Sequence, residues 1–300
     1  MKKVYILASL ALLGQSSLSF AQIREYQTTR LNSSAGAGVA SILALESAIL
    51  NPAGAAFFQE GNASYQLTTT TLRHKDSVRD TNGDKFPNNN RSQAAFVSDY
   101  SGSVKGGVSY INQKENEHER TRLGINAATS SSESSAVGIS YRYTTDKLPS
   151  GTPKRHKVFH EMVLGMLQII DNDTSVGLVV VDPTRSNEGN EKVIGGFQYR
   201  IAKKFTIIGD FAYRYTGAIS KDYGWNGAVQ LNLFDDFFIR GGQFYDNITY
   251  YKGTGYGLTW IGPRMGVEFA QKFSEATDKN TYVYRGETIV DTSLSALIKF

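Results

Sequence analysis

The chain has 300 residues, with 32 Lys and Arg against 28 Asp and Glu, a formal charge of only +4. That near-balance excludes the electrostatic footprint of a nucleic-acid binder, and no nucleic-acid partner is expected. Cysteine is absent while Gly (29), Tyr (17) and Phe (16) are plentiful, which excludes a disulfide framework or a lipidated N-terminal cysteine and favours β-structure.

The chain opens MKKVYILASLALLGQSSLSFAQ. Lys2 and Lys3 give a basic start, Val4 to Leu13 an apolar core too short to span a bilayer, and Ser19-Phe20-Ala21 a small-x-small cleavage site. Residues 1–21 therefore read as a Sec signal peptide, with 30 basic and 28 acidic residues left after its removal.

Next comes a Gly/Ala-rich apolar run from Ala35 to Phe58, interrupted by Glu46, Asn51, Pro52 and Gly54. A transmembrane helix is one reading, but Pro and Gly would break it and Glu46 would sit in hydrocarbon. A helix lying on the surface is another. A plug enclosed by protein suits the residues better, because irregular backbone at membrane depth needs protein around it.

From residue 59 to 300 the signal is period-2 alternation. Phe205, Ile207, Phe211 and Tyr213 share one face, while Thr206, Asp210 and Ala212 share the other. Val137, Ile139, Tyr141 and Tyr143 likewise alternate with Ala136, Gly138, Ser140 and Arg142. Small and polar residues on the second face suit a wet interior, and apolar residues on the first suit lipid. About fourteen strands fit, near 60–72, 91–100, 103–112, 119–129, 135–146, 157–169, 174–183, 192–202, 205–216, 222–234, 237–247, 254–261, 264–273 and 287–300.

Short connections (101–102, 130–134, 171–174, 203–204, 235–236, 262–263) alternate with longer polar ones (73–90, 113–118, 147–156, 184–191, 217–221, 248–253, 274–286). KENEHER at 114–120 reads as a solvated outer loop. All six prolines fall in connections, at a strand tip or in the N-terminal segment, as ladder hydrogen bonding demands. The expected fold is all-β: a transmembrane antiparallel β-barrel of about fourteen strands, its lumen too wide for side chains alone to fill. The lumen and the plug therefore answer each other's needs.

Six charged residues, Arg142, Arg200, Asp210, Arg214, Arg240 and Glu268, are expected to face the lumen as candidate ion pairs. The doublets Gly106-Gly107, Gly195-Gly196 and Gly241-Gly242 read either as bends or as sites of close packing against the plug. The C-terminus, DTSLSALIKF, puts Leu294, Ala296, Ile298 and Phe300 on one face, and terminal Phe300 resembles the signal read by the outer-membrane assembly machinery. His74, His118, His156 and His160 lie near outer loops, but no GxSxG or HExxH accompanies them, so neither an enzyme nor a cofactor or metal is expected.

AGAGVASILALESAILNPAGAAFF resembles the N-terminal hatch of FadL-type outer-membrane transporters, with Asn51-Pro52-Ala53 and then Gly54 as its motif. The resemblance implies a hatch over residues 22–58 inside a fourteen-stranded barrel over 59–300. It also implies passage of hydrophobic compounds such as long-chain fatty acids. The partners implied are a hydrophobic small molecule or lipid, the outer-membrane lipids and lipopolysaccharide, and the assembly machinery. A general porin, or a structural or secretion-associated barrel, stands as the alternative.

Overall fold

Because side chains alternate along a strand, its sequence fixes which residues face inward. A computed structural model describes residues 24–42, 45–74, 90–115, 118–148, 156–187, 189–218, 221–234, 236–277 and 287–300. The signal-peptide span 1–21 and most of the connections expected at 73–90, 147–156 and 274–286 lie outside the described residues.

All fourteen expected strands form: β1 (Asn62–His74), β2 (Asn90–Asp99), β3 (Lys105–Glu115), β4 (His118–Ser130), β5 (Ser135–Lys147), β6 (His156–Ile169) and β7 (Thr174–Val181), then β8 (Lys192–Ile201), β9 (Phe205–Tyr213), β10 (Tyr223–Phe234), β11 (Phe237–Asp246), β12 (Tyr251–Ile261), β13 (Met265–Ala276) and β14 (Glu287–Lys299). Each pairs antiparallel with its sequence neighbours, and β1 closes the barrel against β14 from Asn62↔Lys299 to His74↔Glu287. No edge is left open.

The barrel is inside-out relative to a water-soluble protein. Val137, Ile139 and Tyr141 are exposed, whereas Ala136, Ser140 and Arg142 of the same strand are buried. The pattern recurs on β9, where Phe205, Ile207 and Phe211 are exposed and Thr206 and Asp210 are buried. An apolar outer belt over a polar interior is what lipid outside and a hydrated lumen inside demand. Phe205, Phe234, Phe237 and Phe300 are exposed at the end carrying the short turns, while Tyr143 and Trp225 lie nearer the long-loop end and Tyr256 sits at mid-strand. Phe300 closes the last strand, its N–H donating to Gly61 O at 3.0 Å.

One expectation fails. KENEHER is not a solvated loop, because β3 runs to Glu115 and β4 starts at His118, so only residues 116–117 connect them. Arg120 is 2% exposed and opposes Asp146 across the β4–β5 ladder. Its charge is matched on the neighbouring strand, so it has no need of solvent.

Candidate functional site: the enclosed N-terminal segment and the lumen wall

Residues 24–58 are mostly buried, and they touch the inward face on every side. Among the described residues no helix is long and apolar enough to cross a membrane. Short polar caps shape the segment instead. Thr28 Oγ1 accepts from Leu31 N at 3.1 Å and starts α1 (Thr29–Ser33), which packs on β11–β14. Ala35 (φ 54°) and Gly36 (φ 93°) then reverse the chain, with Gly36 N donating to Leu31 O at 2.7 Å.

That reversal carries Gly38 and Val39 to the opposite wall, where Asp210 Oδ2 accepts from their backbone N–H groups at 2.7 and 3.1 Å. Ser175 Oγ donates to Ala40 O at 2.7 Å. A 3-10 helix over Pro52–Phe57 packs on the third side, β3 to β6. Asn51 caps it: Oδ1 accepts from Ala53 N at 3.1 Å, and Pro52 occupies the first turn, where a missing N–H costs nothing. The Asn51 amide also donates to Val39 O at 2.8 Å and to Met166 O of β6 at 3.1 Å.

Inward glycines leave the room. A Cβ on Gly165 would stand 2.2 Å from Asn51 Oδ1, and one on Gly177 would stand 2.5 Å from Val39 O. Gly138 faces Pro52 and Ala53, and Gly255 faces Asn32. The doublets divide by side. Gly196 and Gly242 touch the segment, whereas outward Gly195 and Gly241 meet almost nothing. Gly106 and Gly107 lie against the backbones of Asn126 and Val97 on adjacent strands. Ladder pairing runs through all three doublets, so none marks a bend, and the doublets' close approaches to the segment are those of Gly196 and Gly242 alone.

Charge pairs brace the segment across the lumen. Arg24 forms a bidentate pair with Asp291 of β14, both contacts 2.9 Å. The next residue, Glu25, points the opposite way in the extended chain and pairs with Arg122 of β4, with Arg142 of β5 at 3.9 Å. Burial works to raise the Glu25 carboxyl, but the Arg122 guanidinium outweighs it and holds the group below the usual carboxylate range. Arg122 also reaches Glu161 at 3.5 Å, and Arg120 holds Asp146 through two 2.7 Å bonds. Three guanidiniums and three carboxylates thus balance in one cluster, buried except at Glu25, whose side chain stays 34% exposed.

Of the six charged positions expected in the lumen, Arg142, Arg240, Asp210 and Glu268 are buried and Arg200 is half-buried. Glu268 pairs with Arg30 at 2.7 Å, while Arg142 donates to Ile49 O beside its contact with Glu25. Asp210 serves backbone N–H groups, and Arg214 joins Asp222 at 3.5 Å among the long-loop connections. Arg200 and Arg240 form no ion pair among the described residues. Arg24, Glu25, Arg120, Arg122 and Glu161 were not anticipated. Their one sequence sign is a pair of opposite charges just ahead of the apolar run.

Two outcomes follow from this geometry. Asn51→Ala removes a cap and two bridging donors and is expected to loosen the segment by about 1–3 kcal/mol, read as faster limited proteolysis within residues 24–58 while the barrel survives. Glu46 is 2% exposed; Thr28 Oγ1 donates to its Oε1 at 2.7 Å, and Oε2 has no hydrogen-bond partner among the described residues. Burial pushes its carboxyl up, with Glu268 reinforcing and Arg30 opposing. A raised value favours the neutral form in the folded state, so this contribution is full at low pH. It is lost as pH climbs through the raised value, above the ordinary carboxylate range. Glu46→Gln should flatten the pH dependence of protease resistance above the ordinary carboxylate range; an unchanged slope would reject the assignment.

Fold and site together define a closed fourteen-stranded barrel with an N-terminal segment folded into its lumen. No protein-family model matches the chain, and no curated protein sequence does. Solved structures match over most of the chain. The Ralstonia pickettii toluene transporter TbuX is 12% identical, covers 92% of this chain and 99% of its own, and superposes with a TM-score of 0.68. The Pseudomonas putida toluene transporter TodX is 9% identical over 92% and 98%, with a TM-score of 0.66. A Pseudomonas aeruginosa FadL homologue is 9% identical over 92% and 98%, with a TM-score of 0.61. At such identities the likeness shows the fold, which is the one the FadL-type resemblance implies.

Proposed function

We propose that this chain is an outer-membrane channel for hydrophobic compounds, a class that includes long-chain fatty acids, exported through a Sec signal peptide at residues 1–21. One observation carries the reading: a segment-filled barrel whose fold extends over nearly all of two proteins named as toluene transporters. In this proposal residues 22–58 act as a hatch that blocks free flow of water. Asn51, Pro52, Ala53 and Gly54 form its seat on β5 and β6, and Phe300 serves as the assembly signal. An apolar solute that dissolves poorly in the polar lipopolysaccharide layer would gain a sheltered route when the hatch shifts.

The second reading, a general porin or a structural or secretion-associated barrel, draws support from the charged lumen of Arg120, Arg122, Arg142 and Glu161. Vesicles containing the refolded chain separate the readings. Accelerated toluene or fatty-acid entry with little arabinose-driven swelling is the expected result. Rapid swelling would replace the proposal with a porin, and neither flux with a structural barrel.

A further inference from the structure

The lumen's unpaired guanidiniums meet in one recess at the short-turn end. It measures about 200 Å³ and is lined by Arg30, Arg200 and Arg240 together with Gln198, Gln230 and Asn232. Among the described residues no Asp or Glu lines it. Arg30 commits Nε and Nη2 to Glu268 at 3.0 and 2.7 Å, so its positive charge is matched. Arg240 is 4% exposed and donates Nε to Gln230 at 2.7 Å and Nη1 to Thr259 at 2.6 Å. Its Nη2 meets no protein acceptor among the described residues. Arg200, on the adjacent wall, makes no side-chain hydrogen bond among them either. Glu268 and Glu46 both act on the Arg240 charge, but Glu268 already serves Arg30 and Ser295, Glu46 accepts from Thr28, and neither lines the recess.

Arg240, buried with a free donor, and half-buried Arg200 line one small recess that has no carboxylate in its wall among the described residues, an arrangement that favours an anion between them. Guanidinium forks suit planar or tetrahedral oxyanions, which they grip through paired N–H groups. The volume exceeds several waters and admits one such group with its residual hydration. Asn232 ties the recess to the β8–β9 turn by donating to Lys203 O at 3.1 Å, which places its mouth at the short-turn end. We infer that this recess binds one compact oxyanion, a carboxylate or phosphate group, between Arg200 and Arg240. The site stands whether or not the barrel conducts hydrocarbons.

Titration of the full refolded chain in a nonionic detergent tests it, with inorganic phosphate as the probe and chloride at equal ionic strength as the control. One saturable site is expected, weakened about tenfold or more in R200Q and again in R240Q. R200Q removes a side chain that bonds to nothing, so its barrel should keep its heat-modifiable mobility even if R240Q folds poorly. Decanoate and decanol identify the source. Displacement of phosphate by decanoate alone assigns the site to the head group of an acidic amphiphile, and no displacement by either assigns it to a free oxyanion. Both support the inference. Equal displacement by decanol, or phosphate binding unchanged in a folded R200Q, overturns it.

Discussion

Gly255→Val should unseat the N-terminal segment while leaving the barrel folded. A Cβ at this position would stand 2.0 Å from Asn32 O and 3.1 Å from Ala35 N, both backbone atoms of the segment. Backbone held by α1 and its turn has no rotamer to give, so the strain falls on the contact itself. Overpacking of this kind costs about 1–3 kcal/mol, comparable to what the segment's caps contribute. The measurement is conductance in a planar bilayer together with proteolysis of residues 24–58, and both should rise. Gly195→Val is the control: it points outward, meets nothing within 4 Å and should leave both readings at the wild-type level. A silent Gly255→Val would show that the segment does not depend on this close approach.

Arg122→Met is the second large effect. The guanidinium is 1% exposed and serves Glu25 of the segment and Glu161 of β6 together. Its removal leaves buried Glu161 short of a partner, which costs about 3–5 kcal/mol when nothing replaces it, while Glu25, 34% exposed, is partly served by water. Arg142 remains 3.9 Å from Glu25, and Asn187 lies 3.3 Å from Glu161, so the low end of that range is expected. Unfolding by urea in detergent would report it. Adding Glu25→Gln and Glu161→Gln should recover much of the loss, since uncompensated charge and not lost volume is the cause. Failure of the triple variant to recover would assign the cost to packing.

These two predictions also mark where the sequence was readable. The strands were legible because lipid and lumen impose opposite chemistry on alternate residues, as Val137, Ile139 and Tyr141 against Ser140 and Arg142 show. Arg120 was misread because its counter-charge, Asp146, lies 26 positions away and becomes its neighbour only through ladder register. The glycine doublets announced close approach, yet only strand parity tells that Gly196 and Gly242 meet the segment and that Gly195 and Gly241 do not. Arg24 and Glu25 carried no periodic signal. Their roles depend on β14 lying across the lumen from β4 and β5, a relation that exists only once the ring is closed.

The seam between first and last strands carries a consequence for stability. Arg24 is tied to Asp291 and Asn32 to Ser293, both on β14, while Tyr26 is tied to Gln66 on β1. These ties straddle the join, and the segment runs directly into β1. Docking of the segment and closure of β1 on β14 therefore stabilise each other in the finished ring, so loosening one should weaken the other.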